Sequence, residues 1–209
     1  MTSDHIFRSY KVKGLIKRKE AKGMDDKQII ELYWNRLESA IAETSQKYGR
    51  FCFSIANNIL RNKEDSDECV NDSYLRVWNV IPPQKPKSLK AFLGKITRNM
   101  ALHMWEKRRA KKRGQDVVTL ALEELQECIP SMSNMEQLTE QIVLVEVLNQ
   151  FLDALEQEKR RIFMARYYYF YSIKEIASFY NVSESKVKMV LFRSREILKN
   201  MLEKEGIVL

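Results

Sequence analysis

Residues 172–198 read SIKEIASFYNVSESKVKMVLFRSREIL, and this stretch decides the fold of the C-terminal part of the chain. Apolar residues recur at helical spacing on either side of Asn181 and Val182, which predicts two helices joined by a tight turn. Ser183 is well placed to cap the second helix. The predicted buried faces consist of Ile173, Ile176, Ala177 and Tyr180 in the first helix, and of Val187, Val190, Leu191, Ser194 and Leu198 in the second. The pattern is typical of a helix-turn-helix.

The opposite face of the second helix carries long cationic side chains beside exposed apolar ones: Lys186, Lys188, Met189, Phe192, Arg193 and Arg195. Such a face can place cations against phosphates and other side chains against base edges in a DNA major groove. An ordinary amphipathic helix with a solvated basic face would have the same composition. Together with the tight turn, the pattern favours a DNA-reading helix.

The composition sets broad limits on the class of protein. The 209 residues are enough for one large or two small domains, and a hydrophobic fraction of 44% allows a sizeable core. The formal net charge of +8 favours a polyanionic partner. No apolar run is long enough to span a membrane. The expected location is the cytoplasm, whose reducing conditions suit unpaired cysteines.

The three cysteines, Cys52, Cys69 and Cys128, are scattered without a CxxC pair. Only His5 and His103 could join them as metal ligands. We therefore expect free, mostly buried thiols in a reducing compartment, with no metal site, no disulfide and no cofactor.

The charges are distributed unevenly along the chain. Basic residues outnumber acidic ones by 25 to 13 over residues 1–113 and by eleven to five over residues 159–209. Residues 114–158 contain ten acids and no Lys or Arg, which indicates two basic modules joined by an acidic segment. The predicted division is a first domain at 24–113, a flexible acidic linker at 114–138 with at most a short helical piece, and a second domain at 139–209.

Residues 1–23 are basic and lack the apolar stretch of a secretory signal. Helical periodicity becomes convincing only after Met24. We predict a disordered extension, or an upstream start that precedes a natural start at Met24. A nucleic-acid-binding arm is the alternative.

The first domain is also predicted to be helical, which makes the chain all-α. Its residues 65–81 carry an apolar stripe formed by Val70, Tyr74, Val77, Trp78 and Ile81. Three prolines then break the chain into a loop, and a further helix begins near Ser88 as its N-cap. The predicted core face of this further helix is Phe92, Ile96, Met100 and Met104.

Two charged regions of the first domain each allow a functional and a structural interpretation. Six of the seven residues at positions 107–113 are basic, and they follow a helix surface formed by Arg98, Asn99, His103 and Trp105. This combination of cations with aromatic and amide side chains suits single-stranded DNA. Cations at a helix C-terminus also complement the helix dipole, which is the structural interpretation. The preceding helix begins with acids, namely Glu64, Asp65, Asp67, Glu68 and Asp72. These acids either stabilise the helix N-terminus or form a surface for a protein partner.

Three segments carry a resemblance to a known family. DECVNDSYLRVWN, then LKAFLGKITRNMALHMWEKRR, then LEQEKRRIFMARYYYFYSIKEIASFYNVSESKVKMVLFRSREIL after a linker, resemble an extracytoplasmic-function (ECF) sigma factor of bacterial RNA polymerase. The similarity covers roughly residues 24–202. It implies that the first domain binds the polymerase clamp and the −10 promoter element. The second domain would bind the β-flap and read −35 DNA.

The resemblance also implies site residues, position by position. Core polymerase binding falls on Asp67, Glu68, Asn71, Asp72 and Trp78. The −10 positions are Arg98, Asn99, His103, Lys107, Arg108 and Arg109, and the −35 positions are Lys186, Lys188, Met189, Phe192 and Arg193. The loop from Pro82 to Ser88 matches the segment that helps to hold a flipped non-template base. His103 stands where the family usually has Asp, and Met189 where a small polar residue is common, so no relative's promoter sequence can be transferred.

The resemblance further implies that the linker threads into the polymerase near its active-centre and RNA-exit channels. Asp116, Glu123, Glu124 and Glu127 lie in or beside the linker and would contact cationic surface there. A solvated, self-repelling tether is the alternative.

The expected function is promoter-specific transcription initiation with core RNA polymerase and promoter DNA as partners. An anti-sigma factor is a further partner that the family allows. The alternative function is a free-standing helix-turn-helix regulator that dimerises through the rest of the chain. No P-loop, metal triad or nucleophile with its base is evident in the sequence, so we do not expect an enzyme.

Overall fold

The computed structural model describes residues 24–109, 116–129 and 138–207, and within these ranges it contains helices and no strand. The chain divides into two compact units, Met1–Lys112 and Arg113–Leu209. The predicted all-α class is therefore confirmed. No helix in the described ranges is long and apolar enough to cross a membrane. The segment at residues 1–23 lies outside the described residues.

The first unit is built around one long central helix. Its described helices are α1 (Asp26–Trp34), α2 (Ser39–Leu60), α3 (Lys63–Val80) and α4 (Leu89–Arg109). Helix α2 packs against the other three, and α3 also packs against α4. Side chains cap the starts of α1, α3 and α4, where backbone amides donate to Asp25, Asn62 and Ser88.

The core of the first unit contains side chains from all four helices: Ile29, Tyr33, Cys52, Ile55, Ile59, Cys69, Val77, Leu89 and Leu93. The phenol of Tyr33 is fully buried, and its Oη lies 2.9 Å from Thr44 Oγ1. Because Thr44 donates its own proton to the Ala40 carbonyl at 2.7 Å, Tyr33 is the donor in this pair. The buried hydroxyl groups of Tyr33 and Thr44 are thus satisfied without water.

The buried face of α4 differs from the predicted one by one position. Phe92, Ile96, Met100 and Met104 are only half-buried, and the core residues are Leu89, Leu93, Thr97, Ala101 and Trp105. The reason is close helix packing near the middle of α4, where Gly94, Thr97 and Ala101 are small. A Cβ on Gly94 would lie 3.2 Å from Cζ of Phe51 on α2. The predicted stripe on α3 is confirmed, except that Trp78 is half-buried.

The second unit contains five described helices. These are α5 (Val117–Gln126), α6 (Leu138–Ala154), α7 (Gln157–Tyr167), α8 (Ile173–Tyr180) and α9 (Glu184–Lys204). Helix α9 packs against α6, α7 and α8, and α7 also packs against α5 and α8. The last two helices form the predicted helix-turn-helix.

Local hydrogen bonds explain why the helix-turn-helix forms where the sequence predicts it. Ser172 and Glu175 form a capping box at the start of α8, each accepting from the other's backbone amide. Asn181 ends α8 in the left-handed conformation, at φ 52°, which asparagine tolerates better than most residues. Ser183 then accepts from the Lys186 amide at 3.1 Å and caps α9.

The segment predicted as a linker with at most a short helical piece contains a helix in its described part. Its described residues 116–129 form helix α5, which is capped by Asp116 and packs within the second unit. Val118 and Ala121 are buried. The short apolar stripe of this helix packs onto α7. Residues 130–137 of the predicted linker lie outside the described residues.

Candidate nucleic-acid interface

Helix α9 presents an exposed face that combines cations with apolar side chains. The exposed fractions of Met189 and Phe192 are 50% and 54%, and Lys188 and Arg193 are exposed beside them. Lys186 forms an ion pair with Glu158 at 2.8 Å, in which both side chains are about half exposed. A pair this open to water is weak, so its cation remains available to a stronger anion. The structure therefore brings the five predicted −35 residues together on one side of one helix.

Arg195, which the sequence also placed on this exposed face, instead faces the interior. Its side chain is 15% exposed, and it donates to Tyr167 Oη at 2.7 Å. Burial lowers the pKa of Arg195, but the Tyr167 hydrogen bond and the carboxylates of Glu124 and Glu127 outweigh it and raise the pKa overall. Arg195 is therefore a structural cation that ties α9 to α7 and α5.

The carboxylate of Glu124, on α5, is the centre of this network. It accepts from Arg166 Nη2 at 2.7 Å and from Arg166 Nε at 3.2 Å, which is a bidentate arrangement. Tyr167 Oη donates to the same carboxylate at 2.9 Å, and Arg195 lies 3.7 Å away. Because Arg166 is only 3% exposed, Glu124 neutralises a cation that has lost most of its water.

Helix α4 presents a second polar surface, made of the predicted −10 residues. Asn99, His103 and Lys107 are exposed, and Arg98 is half-buried. Arg108 forms an ion pair with Asp65 near the start of α3. The side chain of Arg109 lies outside the described residues.

The indole of Trp105, which the sequence placed on this surface, is buried with only 7% exposed. It belongs to the core stripe of α4, so this tryptophan offers no face for stacking by an unpaired base. The surface is polar and cationic instead. Its chemistry suits hydrogen bonding and phosphate contact.

The outer face of α3 is acidic, as predicted. Asp67, Glu68, Asn71 and Asp72 are all exposed. Trp78 lies further along the same helix, where the guanidinium of Arg36 stacks 5.3 Å from its ring centroid and donates to its carbonyl at 2.7 Å. Arg36 thereby fixes the position of this half-buried indole.

A shallow groove between α2 and α3 adjoins these acids and was not predicted. It is lined by Glu38, Ile41, Ala42, Ser45, Asn71, Tyr74, Leu75 and Trp78. Leu75 is 56% exposed. Leu37, which precedes the groove residue Glu38 in the sequence, is 48% exposed. Leu75 lies off the core stripe of α3, and an apolar residue off that stripe is the sequence signal that could have revealed the groove.

The three thiols lie in the interior of the protein. Cys52, Cys69 and Cys128 are free and buried. Burial raises the pKa of Cys52 and Cys128 to about 11 and that of Cys69 to about 12, so the thiols stay protonated near neutral pH. Within the described part of the chain no group of His, Cys, Asp and Glu side chains could hold a metal ion.

These surfaces define an all-helical protein with two separate modules, one of which is a helix-turn-helix with an exposed cationic face. Residues 45–111 match the family described as Sigma-70 region 2, and residues 146–198 match Sigma-70, region 4. The two matches fall on different units and together cover more than half of the chain. The chain belongs to the sigma-70 family, and its pair of regions is that of the ECF sigma factors.

One curated relative is a probable RNA polymerase sigma factor, RfaY, from Xanthomonas campestris pv. campestris. It is 25% identical to this chain over 177 residues. The aligned part covers 80% of this chain and 43% of the relative, so the chain spans less than half of that protein's length.

Proposed function

We propose that this protein is an RNA polymerase sigma factor that directs promoter-specific transcription initiation. The observation that carries the proposal is the order of the two matched regions, which lie on separate compact units. A sigma factor must recognise two promoter elements and the polymerase at once. Two modules with modest individual DNA surfaces suit that task, and no bond is made or broken by this subunit.

In this proposal α9 reads the −35 element from the major groove. Lys188 and Arg193 are exposed and make no ion pair within the described part of the chain, so both can contact DNA at no cost in lost internal pairs. The buried Glu124 network holds α9 through Arg195, two residues beyond Arg193. A reading helix fixed in this way loses little entropy on binding.

Helix α4 would contact the −10 element through Asn99, His103 and Lys107. Because Trp105 is buried, the unpaired strand would be held by hydrogen bonds and phosphate contacts on this helix rather than by stacking on that indole. Arg108 would first have to leave Asp65, or contact phosphate while remaining paired. We therefore expect Lys107 to contribute more to DNA binding than Arg108.

The acidic face of α3 and the adjoining groove would bind the core enzyme. Exposed acids beside an apolar groove fit a partner surface that is cationic and apolar, such as one face of a helix. Leu75 is the most exposed apolar residue of the groove and would be its anchor. The acids would speed and orient association, while apolar burial would supply most of the affinity.

The proposal is tested by transcription with purified core polymerase on a library of promoter fragments, including the promoter of the protein's own gene. Specific transcripts that depend on this protein are the expected result. Leu75→Asp should abolish co-purification with core enzyme, whereas Glu31→Arg, at an exposed position of α1 in the same unit, should leave it intact. Absence of any transcript with wild-type protein would refute the proposal, and a two-fold symmetric operator bound by a dimer would favour the free-standing regulator.

A further inference from the structure

An apolar side chain lies at the centre of the cationic face of α9. The inward face of this helix is formed by Val187, Val190, Leu191, Ser194 and Leu198. With a rotation of about 100° per residue, Met189 lies within about 25° of the opposite direction, while Lys188 and Arg193 lie about 75° and 65° to either side of it. The thioether of Met189 therefore points away from the domain, between two cations.

The neighbours of Met189 continue this arrangement along the helix axis. Phe192 lies one turn further on the outward strip and is 54% exposed. Ser185 and Glu196 are exposed on the same strip, before and after the apolar pair. The outward strip is thus apolar only over about one turn of helix, with polar ends and cationic edges.

This arrangement fits a partner that is anionic at both edges and apolar at the centre. A B-DNA major groove admits an α-helix between two phosphate backbones, and the apolar group on its floor is the C5 methyl group of thymine. A protein partner is a poorer fit, because a stable protein interface buries about 1,000 Å² or more and this apolar strip ends within about one turn. Its cationic edges also favour a polyanion.

We propose that Met189 is a specificity-determining residue that selects thymine in the −35 element by contacting its C5 methyl group. Phe192 extends the apolar surface on one side of the contact. Lys188 and Arg193 hold the helix against the two backbones, so that the thioether meets the groove floor. This inference rests on the proposed function. It adds that α9 prefers thymine and that the group it recognises is the C5 methyl group of that base.

The test replaces thymine by uracil, which removes only the methyl group and leaves every base-pair hydrogen bond in place. A promoter active in the transcription assay is rebuilt with uracil at one thymine of the −35 element at a time. Binding and transcription are then measured with holoenzyme. We expect about a fourfold loss of affinity at one or two thymines, the value typical of one buried methyl group. Uracil outside the two promoter elements should change nothing.

Protein variants assign the effect to Met189. Met189→Ala should bind the thymine and uracil promoters equally, because the methyl group no longer has a contact to lose. Met189→Leu keeps an apolar side chain of similar volume and should retain the preference for thymine. Lys188→Ala should weaken binding to both promoters by the same factor, because it removes a charge and no methyl contact.

Three outcomes would overturn this inference by itself. One is equal use of the thymine and uracil promoters by wild-type holoenzyme, which leaves the proposed function intact. Another is an unchanged preference in Met189→Ala, which would assign the methyl contact to a different residue. A third is loss of core polymerase binding in Met189→Ala, which would make this strip a protein contact. If wild-type protein starts no transcripts at all, the proposed function fails and this inference fails with it.

Discussion

The Glu124 network gives the sharpest test of how the second unit is held together. Glu124→Ala removes the carboxylate that pairs with Arg166 at 2.7 Å and leaves a guanidinium that is only 3% exposed without its anion. Loss of one partner of a buried pair costs about 3–5 kcal/mol. Glu124 itself is 25% exposed, so water would partly replace the carboxylate. We therefore expect the free energy of unfolding of the second unit to fall by about 2–3 kcal/mol.

The assay can separate the two units because the three tryptophans, Trp34, Trp78 and Trp105, all lie in the first. Urea unfolding is followed by tryptophan fluorescence for the first unit and by far-UV circular dichroism for both. With a urea dependence of about 1–1.5 kcal/mol per molar, the midpoint of the second unit should fall by about 2 M. The fluorescence midpoint should stay where it is.

Glu123→Ala is the matched control, since Glu123 is the exposed neighbour on α5 and carries the same charge. Its effect should stay within about 0.5 kcal/mol. Equal midpoints for the two variants would refute the reasoning, because the buried pair would then contribute nothing beyond charge. A shift in the fluorescence transition would also contradict it, by placing Glu124 in the stability of the first unit.

Three further predictions concern stability. Ser183→Ala should destabilise the second unit by about 1 kcal/mol, because α9 loses its N-terminal cap. The control Ser178→Ala, at an exposed helix position, should change the stability by less than about 0.5 kcal/mol. Both variants are measured by circular dichroism in urea. Gly94→Val should lower the free energy of unfolding of the first unit by about 1–3 kcal/mol, because its Cβ would lie 3.2 Å from the ring of Phe51. The measurement is the urea midpoint of tryptophan fluorescence, which should fall. Burial raises the pKa of Cys52 and Cys69 from the unfolded value of 9.0 to about 11 and about 12. Between these pH values only the unfolded chain loses thiol protons. The free energy of unfolding of the first unit should therefore be level below pH 9.0 and fall as the pH rises towards about 11–12. A urea midpoint that stays constant from pH 8 to pH 11 would contradict this last prediction.

Two acids of the segment at residues 114–138 have structural contacts within the second unit. Asp116 caps α5 and Glu124 pairs with Arg166, so replacing either one alters the second unit itself. Glu123 is exposed and Glu127 lies 4.0 Å from Arg195, at the limit of an ion pair. A contact of this segment with a polymerase channel stays a prediction. It is best tested with Glu123→Gln alone, scored by abortive RNA output.

The helix-turn-helix was predictable because local hydrogen bonds and local periodicity specify it. Ser172 and Ser183 each accept from an amide three residues away, and Asn181 needs no distant partner to adopt its backbone conformation. The exposure of the residues predicted to contact −35 DNA followed in turn, since a helix whose buried stripe is known has only one opposite face.

The buried face of α4 could not be predicted in the same way. Two apolar stripes one position apart run along this helix, and periodicity alone does not choose between them. The structure buries the one that is small at its middle, because Gly94 lets α2 approach and Thr97 and Ala101 occupy little room. That choice also buried Trp105 and removed it from the predicted nucleic-acid surface.

The roles of Glu124 and Arg195 likewise depended on tertiary structure. In the sequence Glu124 is one of several linker acids and Arg195 one of several cations on α9. The partners Glu124 and Arg166 are 42 residues apart, so no spacing rule connects them. The sequence determined that the chain is helical and where α9 begins, because those features arise from interactions within a few residues. The packing of distant helices decided which face of α4 is buried. It also decided which charges are structural and which remain free for a partner, because a buried charge requires a counterion.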